Sequence, residues 1–341
     1  MSLARSLVLG ALGGALFWWL HLPLAWMLGA MTATGLGALL SWPIAGSQKA
    51  RAPMVAVMGA MLGSSFSAGM IGHQLHWILP LALLVPFLAV AGWVGSVYLQ
   101  RVAGMDAKTA FFASAPGGLV DMILLGERAG ADATTIALMH GARIFLVVLA
   151  LAVVIHLVTG ADLSGRTASW HPLAALTPRN AAWFALTAAG GAIAGARLRL
   201  PAPLLIGPML ASAAAHLAGL TDFTVPSALT AAAQVVMGST IGSRFAGTPP
   251  RAILRCLGHS VGVTALLLAI AAAFALVAKT LSGLPFAELL LAYSPGGLAE
   301  MSLIAFTLGL EVPFVAAHHI ARIFLTITGV VWLSRRRGIG S

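Results

Sequence analysis

Apolar runs of about 15 to 25 residues, the length a bilayer core of ~30 Å requires, follow one another along the whole 341-residue chain. They cover 6–20, 24–41, 52–70, 75–99, 109–125 and 134–158, and six more follow in the second half. Only 8% of the residues are charged, against roughly 25% in soluble domains. Such a chain is an all-helical polytopic membrane protein, with twelve apolar segments.

The net charge of +10 does not indicate nucleic acid, because the cations are scattered through short loops and the tail Ser334–Gly338 and form no basic patch. Bilayer orientation explains them better. A single cysteine, Cys256, excludes a disulfide framework, a redox pair and a cysteine zinc site. The N-terminal 23 residues have the positive start and apolar run of a signal peptide but no small-residue cleavage site after the run, so they read as the first membrane segment.

The chain also repeats itself. A shift of 179 residues lays Val57–Phe66 on Val236–Phe245 with six identities in ten. The same ungapped register aligns Pro116, Gly117, Gly118 and Leu119 with Pro295, Gly296, Gly297 and Leu298, and "HGARIF" (His140–Phe145) with "HIARIF" (His319–Phe324). A shift of 178 aligns Leu22–Met31 with Leu200–Met209. The division expected is a first membrane repeat over 1–160, a linker over 161–180 and a second repeat over 181–341.

Loop charges weigh the topology. If all six segments of each repeat cross, the 17 loop and terminal cations divide 11 against 6. If the Pro-Gly-Gly segment dips in and returns, each repeat crosses five times and the second is inverted. Then 14 cations share one side and only Arg166, Arg179 and Lys279 lie opposite. The positive-inside rule favours inverted repeats with ten crossings and both termini cytoplasmic.

Pro-Gly-Gly within an apolar segment is costly for a helix, since proline lacks an N–H and glycine disfavours helix. Within hydrocarbon, a backbone that leaves the helix must face protein or a water-filled cavity. A half-helix starting at Pro116, Gly117, Gly118 or at Pro295, Gly296, Gly297 would aim its N–H groups at whatever fills the break, which suits an anion. A proline kink packed through its glycines is the alternative.

Asp121 and Glu300 each follow their proline by five residues. A charge at the centre of a membrane helix costs ~2.5–3.5 kcal/mol, so each requires a partner, a cavity or a proton. Arg143 and Arg322, in the next segment of each repeat, are the candidate partners, and His140 and His319 lie three residues earlier on the same face. Structural locking of two helices by an acid–arginine pair stands against a functional role, in which the acids bind a coupling proton or hard cation. In that role the arginines counter them or hold a substrate carboxylate, and the histidines relay protons or orient the arginines.

Weaker signals remain. "HQLH" (73–76) has ligand spacing but lies beside Trp77, which suits an interfacial position. The runs 63–69 and 242–247 could offer hydroxyls to a ligand or pack helices closely. His318 points away from His319 and reads as an ordinary polar residue.

The doubled PGGL-x-[DE]-M and H-x-ARIF motifs resemble the AbrB membrane-protein family, whose hallmark is this internal duplication. The resemblance spans essentially all 341 residues. Members have been labelled both ammonia monooxygenases and regulators of gene expression. A metal oxygenase needs a dense ligand cluster, and only separated candidates occur. A DNA-binding regulator needs a soluble reading head, and the longest loop is about twenty residues. The expectation is therefore a non-enzymatic secondary transporter of a small anionic or zwitterionic solute, coupled to a proton or cation. It would need no cofactor or metal, touch no nucleic acid directly, and allow a homo-oligomer. The alternative is a membrane-embedded sensor acting indirectly on gene expression.

Overall fold

A computed structural model describes residues 2–66, 73–159, 171–172 and 176–336. Much of the expected linker and residues 67–69 of one small-residue run lie outside the described residues. Fifteen α-helices occur among those described, namely α1 (Leu3–Trp19), α2 (Ala25–Leu39), α3 (Gln48–Gly63), α4 (Ile78–Arg101), α5 (Ala107–Ser114), α6 (Leu119–Arg128), α7 (Ala133–Thr159), α8 (Pro178–Ala185), α9 (Gly191–Arg197), α10 (Pro203–Leu217), α11 (Ser227–Gly242), α12 (Pro250–Ser282), α13 (Phe286–Tyr293), α14 (Leu298–Thr307) and α15 (Val312–Arg336). The twelve apolar segments account for them. Two segments break at Pro-Gly-Gly, giving α5 with α6 and α13 with α14, and a π turn at Leu186–Gly190 separates α8 from α9.

Four helical stretches are long and apolar enough to cross a membrane: Leu75–Arg101, Ala133–Ile155, Pro250–Ser282 and Val312–Ser334. Helices α1, α2 and α10 are apolar but shorter. Large apolar side chains stay exposed, such as Val8, Leu12, Leu16 and Trp19 on α1 and Val85, Val90 and Trp93 on α4. A soluble monomer rarely presents such faces, whereas lipid covers them without cost.

The chain divides into two compact units, each drawing on both halves of the sequence. The first comprises Met1–Gln74, Ala152–Thr248 and Ser302–Pro313. Here α2 packs on α1 and α11, and α10 packs on α9 and α3. Glycines set the spacing. A Cβ at Gly13 would strike the Gly29 carbonyl, and one at Gly207 would strike that of Gly191. Gly59 and Gly63 of α3 lie against the Leu205 and Met209 carbonyls of α10, while Gly238 and Gly242 of α11 lie against those of Met27 and Met31 on α2. Close approach of backbones through small residues is the dry-interface packing that helices in lipid use. The beginnings of the small-residue runs, at Gly63 and Gly242, therefore serve helix packing.

The second unit comprises Leu75–Leu151, Pro249–Met301 and Phe314–Ser341. Helix α4 packs on α5 and α12, and α12 packs on α13. Phe87 of α4 meets Phe274 of α12 at 5.6 Å and Tyr293 of α13 at 5.4 Å between ring centroids. The buried Tyr293 hydroxyl donates to the Pro80 carbonyl across 2.7 Å. The start of α5 and the end of α6 meet, since Lys108 Nζ donates to the Ala129 carbonyl (2.9 Å) and the Asp132 N–H to Thr109 Oγ1 (3.0 Å). The two half-helices thus form a hairpin whose tip is Pro116-Gly117-Gly118.

Candidate functional site: two polar breaks

Each break begins where proline forbids the helix to continue. Ala115 (φ −54°, ψ 127°) and Ser294 (φ −60°, ψ 138°) terminate α5 and α13 in extended conformation, as residues before proline prefer. The last carbonyls of each half-helix then lack helical partners in an apolar interior.

Side chains of the following long helix supply those partners. His140 Nε2 donates to the Phe112 carbonyl across 3.0 Å. One Arg143 nitrogen reaches the carbonyls of Ala113 (3.4 Å) and Ser114 (3.1 Å), and the other that of Ala115 (3.2 Å). In the second break His319 Nε2 donates to the Leu291 carbonyl at 3.0 Å, and Arg322 donates to the carbonyls of Ser294 and Gly296. Both arginines are 3% exposed. The fork of the guanidinium satisfies adjacent carbonyls at once, and its charge complements the negative end of the half-helix dipole.

The acids sit at the opposite pole. Gly118 is the N-cap of α6 (φ −65°, ψ 132°), which makes Asp121 its third helical residue, within the first turn; Glu300 occupies the same place in α14. Each carboxylate folds back over its glycine, so that a Cβ at Gly118 would collide with Asp121 Oδ2 and one at Gly297 with Glu300 Oε2. This is where a capping carboxylate compensates the positive end of a helix. The preceding glycines have another role. A Cβ at Gly117 would lie 2.9 Å from Thr326 Cγ2 and 3.0 Å from Met122 Cε, and one at Gly296 2.7 Å from Met301 Cε. Pro116 and Pro295 are buried.

All twelve residues singled out in the sequence therefore fall in the second unit and at the two breaks, but their pairing differs from the expectation. Neither Asp121 with Arg143 nor Glu300 with Arg322 forms an ion pair within 4 Å. The arginines terminate the first half-helix of each break and the acids begin the second. The spacing that reveals this is three residues from the second glycine to the acid, a capping spacing hidden by counting from the proline.

Hydrogen-bond logic fixes the state of one histidine. His140 Nε2 faces a carbonyl and must carry hydrogen, whereas Nδ1 lies 2.9 Å from an Arg143 nitrogen and must accept. His140 is thereby a neutral orienting group. The second copy is looser, for His319 Nδ1 has no partner. The breaks also differ in access, Asp121 being partly exposed and Glu300 only 5% exposed. The Nε atoms of both arginines are buried without partners. Thr326 Oγ1, beside Gly117, is another unpartnered buried group; nothing in the repeat motifs points to it.

His318 donates through Nδ1 to the Phe314 carbonyl (2.8 Å), and its ring lies tilted against the Phe314 ring with centroids 4.1 Å apart, an ordinary buried polar role. His76 lies in the 3-10 turn His73–Trp77 beside Trp77, whose ring meets Phe314 at 5.8 Å. Among the described residues no three of His, Cys, Asp and Glu gather as a metal-binding group.

Long apolar helices around buried, polar-capped breaks define an integral membrane protein with a polar interior. More particularly, the chain belongs to the AbrB family: the family described as "Transition state regulatory protein AbrB" matches residues 26–337. It is similar to a Bacillus subtilis (strain 168) protein named "Uncharacterized protein YhjN", 32% identical over 292 residues, which cover 80% of this chain and 74% of that one. It is also similar to an Escherichia coli (strain K12) protein named "Putative regulator AbrB", 28% identical over 316 residues, 91% of this chain and 89% of that one.

Proposed function

We propose that this protein is a secondary transporter that moves a small anionic or zwitterionic solute by alternating access, with proton or cation coupling, through the second unit. The observation that carries this reading is the pair of breaks. Two interrupted helices, each with a buried arginine at one pole and a carboxylate at the other, are costly to maintain in lipid, and transporters build substrate and ion sites at such places. The unpartnered Nε atoms of Arg143 and Arg322 and the Thr326 hydroxyl supply donors for an anion. No nucleotide-binding motif accompanies them, and no enzymatic step is assigned.

The hairpin formed by α5 and α6 supports a re-entrant element. With the cation count it favours five crossings per repeat, inverted repeats and both termini on the cytoplasmic side of the inner membrane. Cysteines placed at Lys49 and Arg251 should then resist labelling by an impermeant reagent from outside, and labelling of either would reject the inverted arrangement.

A sensor without transport is the second reading, favoured by the word "regulator" in the name of the Escherichia coli relative. Any effect on gene expression would then pass through a membrane partner, with no direct contact to nucleic acid. Uptake and efflux of a metabolite panel by proteoliposomes with and without the protein separates the two. A protein-dependent flux supports transport; specific binding with no flux in either direction refutes it.

A further inference from the structure

Resting on the transport reading, we infer that the ion this protein binds is a proton and not sodium, because the guanidinium groups of Arg143 and Arg322 already fill the carbonyl-lined breaks that a metal cation would need. Sodium sites in broken-helix transporters are made from unwound backbone carbonyls and half-helix C-terminal ends. Those are the groups taken here. Arg143 engages the carbonyls of Ala113, Ser114 and Ala115, and Arg322 those of Ser294 and Gly296. Sodium entering either break would displace a buried fixed cation, or sit beside it in a low dielectric, and both are unfavourable.

The remaining groups narrow where a proton can reside. Among the described residues of α5, α6, α7, α13, α14 and α15, the buried titratable and charged side chains other than Glu300 are His140, Arg143, Glu288, Tyr293, His318, His319 and Arg322, while Lys108, Glu127 and Arg128 are exposed. His140 has both ring nitrogens committed, and a second proton would set N–H against Arg143 N–H. His319 in its charged form would stand one turn from Arg322 on α15 with no carboxylate on its ring. Asp121 and Glu300 differ, since neither has an arginine within 4 Å and each can accept a proton without breaking an ion pair, giving up only its interaction with the helix N-terminus. These two acids are the proton sites.

The test uses the full-length wild-type protein in detergent and needs no knowledge of the solute. Melting curves in equal concentrations of sodium chloride and choline chloride should coincide, and radioactive sodium should show no saturable binding. Infrared difference spectra between about pH 4 and 9, a window wide enough for strongly shifted carboxyls, should show a carboxylic-acid C=O band that is diminished in Asp121→Asn and in Glu300→Gln. A sodium-specific melting shift, saturable sodium binding, or a band unchanged in both variants would overturn the inference. Absence of solute flux under every ionic condition would instead count against the transport reading, and the sodium and infrared titrations would still decide the ion.

Discussion

Arg143 donates to Nδ1 of His140 across 2.9 Å, one turn apart on α7, and together the two side chains close the last three carbonyls of α5, from Phe112 to Ser114, and that of Ala115 which follows it. The corresponding Arg322 and His319 share the task at α13 without a hydrogen bond between them, and His319 Nδ1 is left bare. The first break is the more tightly tied.

His140→Ala should therefore destabilise the protein more than His319→Ala. The former removes a donor to Phe112 and the acceptor that orients Arg143, at about 1–3 kcal/mol for each buried group left unsatisfied; the latter strands one carbonyl. Thermal melting of both variants in one detergent checks the order, and equal losses would contradict it.

Arg143→Met should cost at least about 2 kcal/mol by stranding buried carbonyls, and Arg143→Lys should recover only part, because an ammonium cannot span three carbonyls as a fork does. Since Asp121 and Arg143 form no ion pair, Asp121→Asn combined with Arg143→Met should show a coupling energy below about 0.5 kcal/mol. Marked rescue in the double variant would restore the direct pair to consideration.

Gly297→Ala should be damaging because the new methyl would push the Glu300 carboxylate off the helix N-terminus, and at a position just before α14 alanine brings no gain in helix propensity to offset this. Gly297→Ala with Glu300→Ala should be more stable than Gly297→Ala alone, a non-additivity that melting of the three variants reads directly. Gly296→Ala should respond to shortening of Met301 in the same manner, and not to changes at Glu300.

Asp132, just before α7, gives a pH dependence. The Thr135 hydroxyl at 2.6 Å and the N–H groups of Thr134 and Thr135 hold its carboxyl below its ordinary value of 3.8. A lowered folded value means stability that is present above 3.8 and lost as pH falls through the folded value. Asp132→Ala should cost about 1 kcal/mol near neutrality, the usual worth of an N-cap, and the gap from wild type should close as the buffer is acidified below the carboxylate range. A gap that persists in acid would assign the loss to something other than the charge.

Much of this was legible in the sequence because the solvent imposed it. Lipid demands long apolar stretches, so hydropathy marked twelve segments, and proline with paired glycines marked both breaks, since no neighbour can return an N–H to Pro116 or Pro295. The repeated register brought His140, Arg143 and the acids to notice together with their second copies. Partnership was another matter. Opposite charges in neighbouring segments suggested ion pairs, yet backbone groups freed by the breaks are equally strong claimants, and only three-dimensional placement shows that the arginines went to the carbonyl ends and the acids to the N–H ends. The same holds for Gly59 against Leu205 and Gly238 against Met27, where each α-helix packs on one from the other half of the chain. Segment character follows from local composition and the surrounding medium, whereas the choice of partner depends on which backbone dipoles are brought within reach when the helices pack.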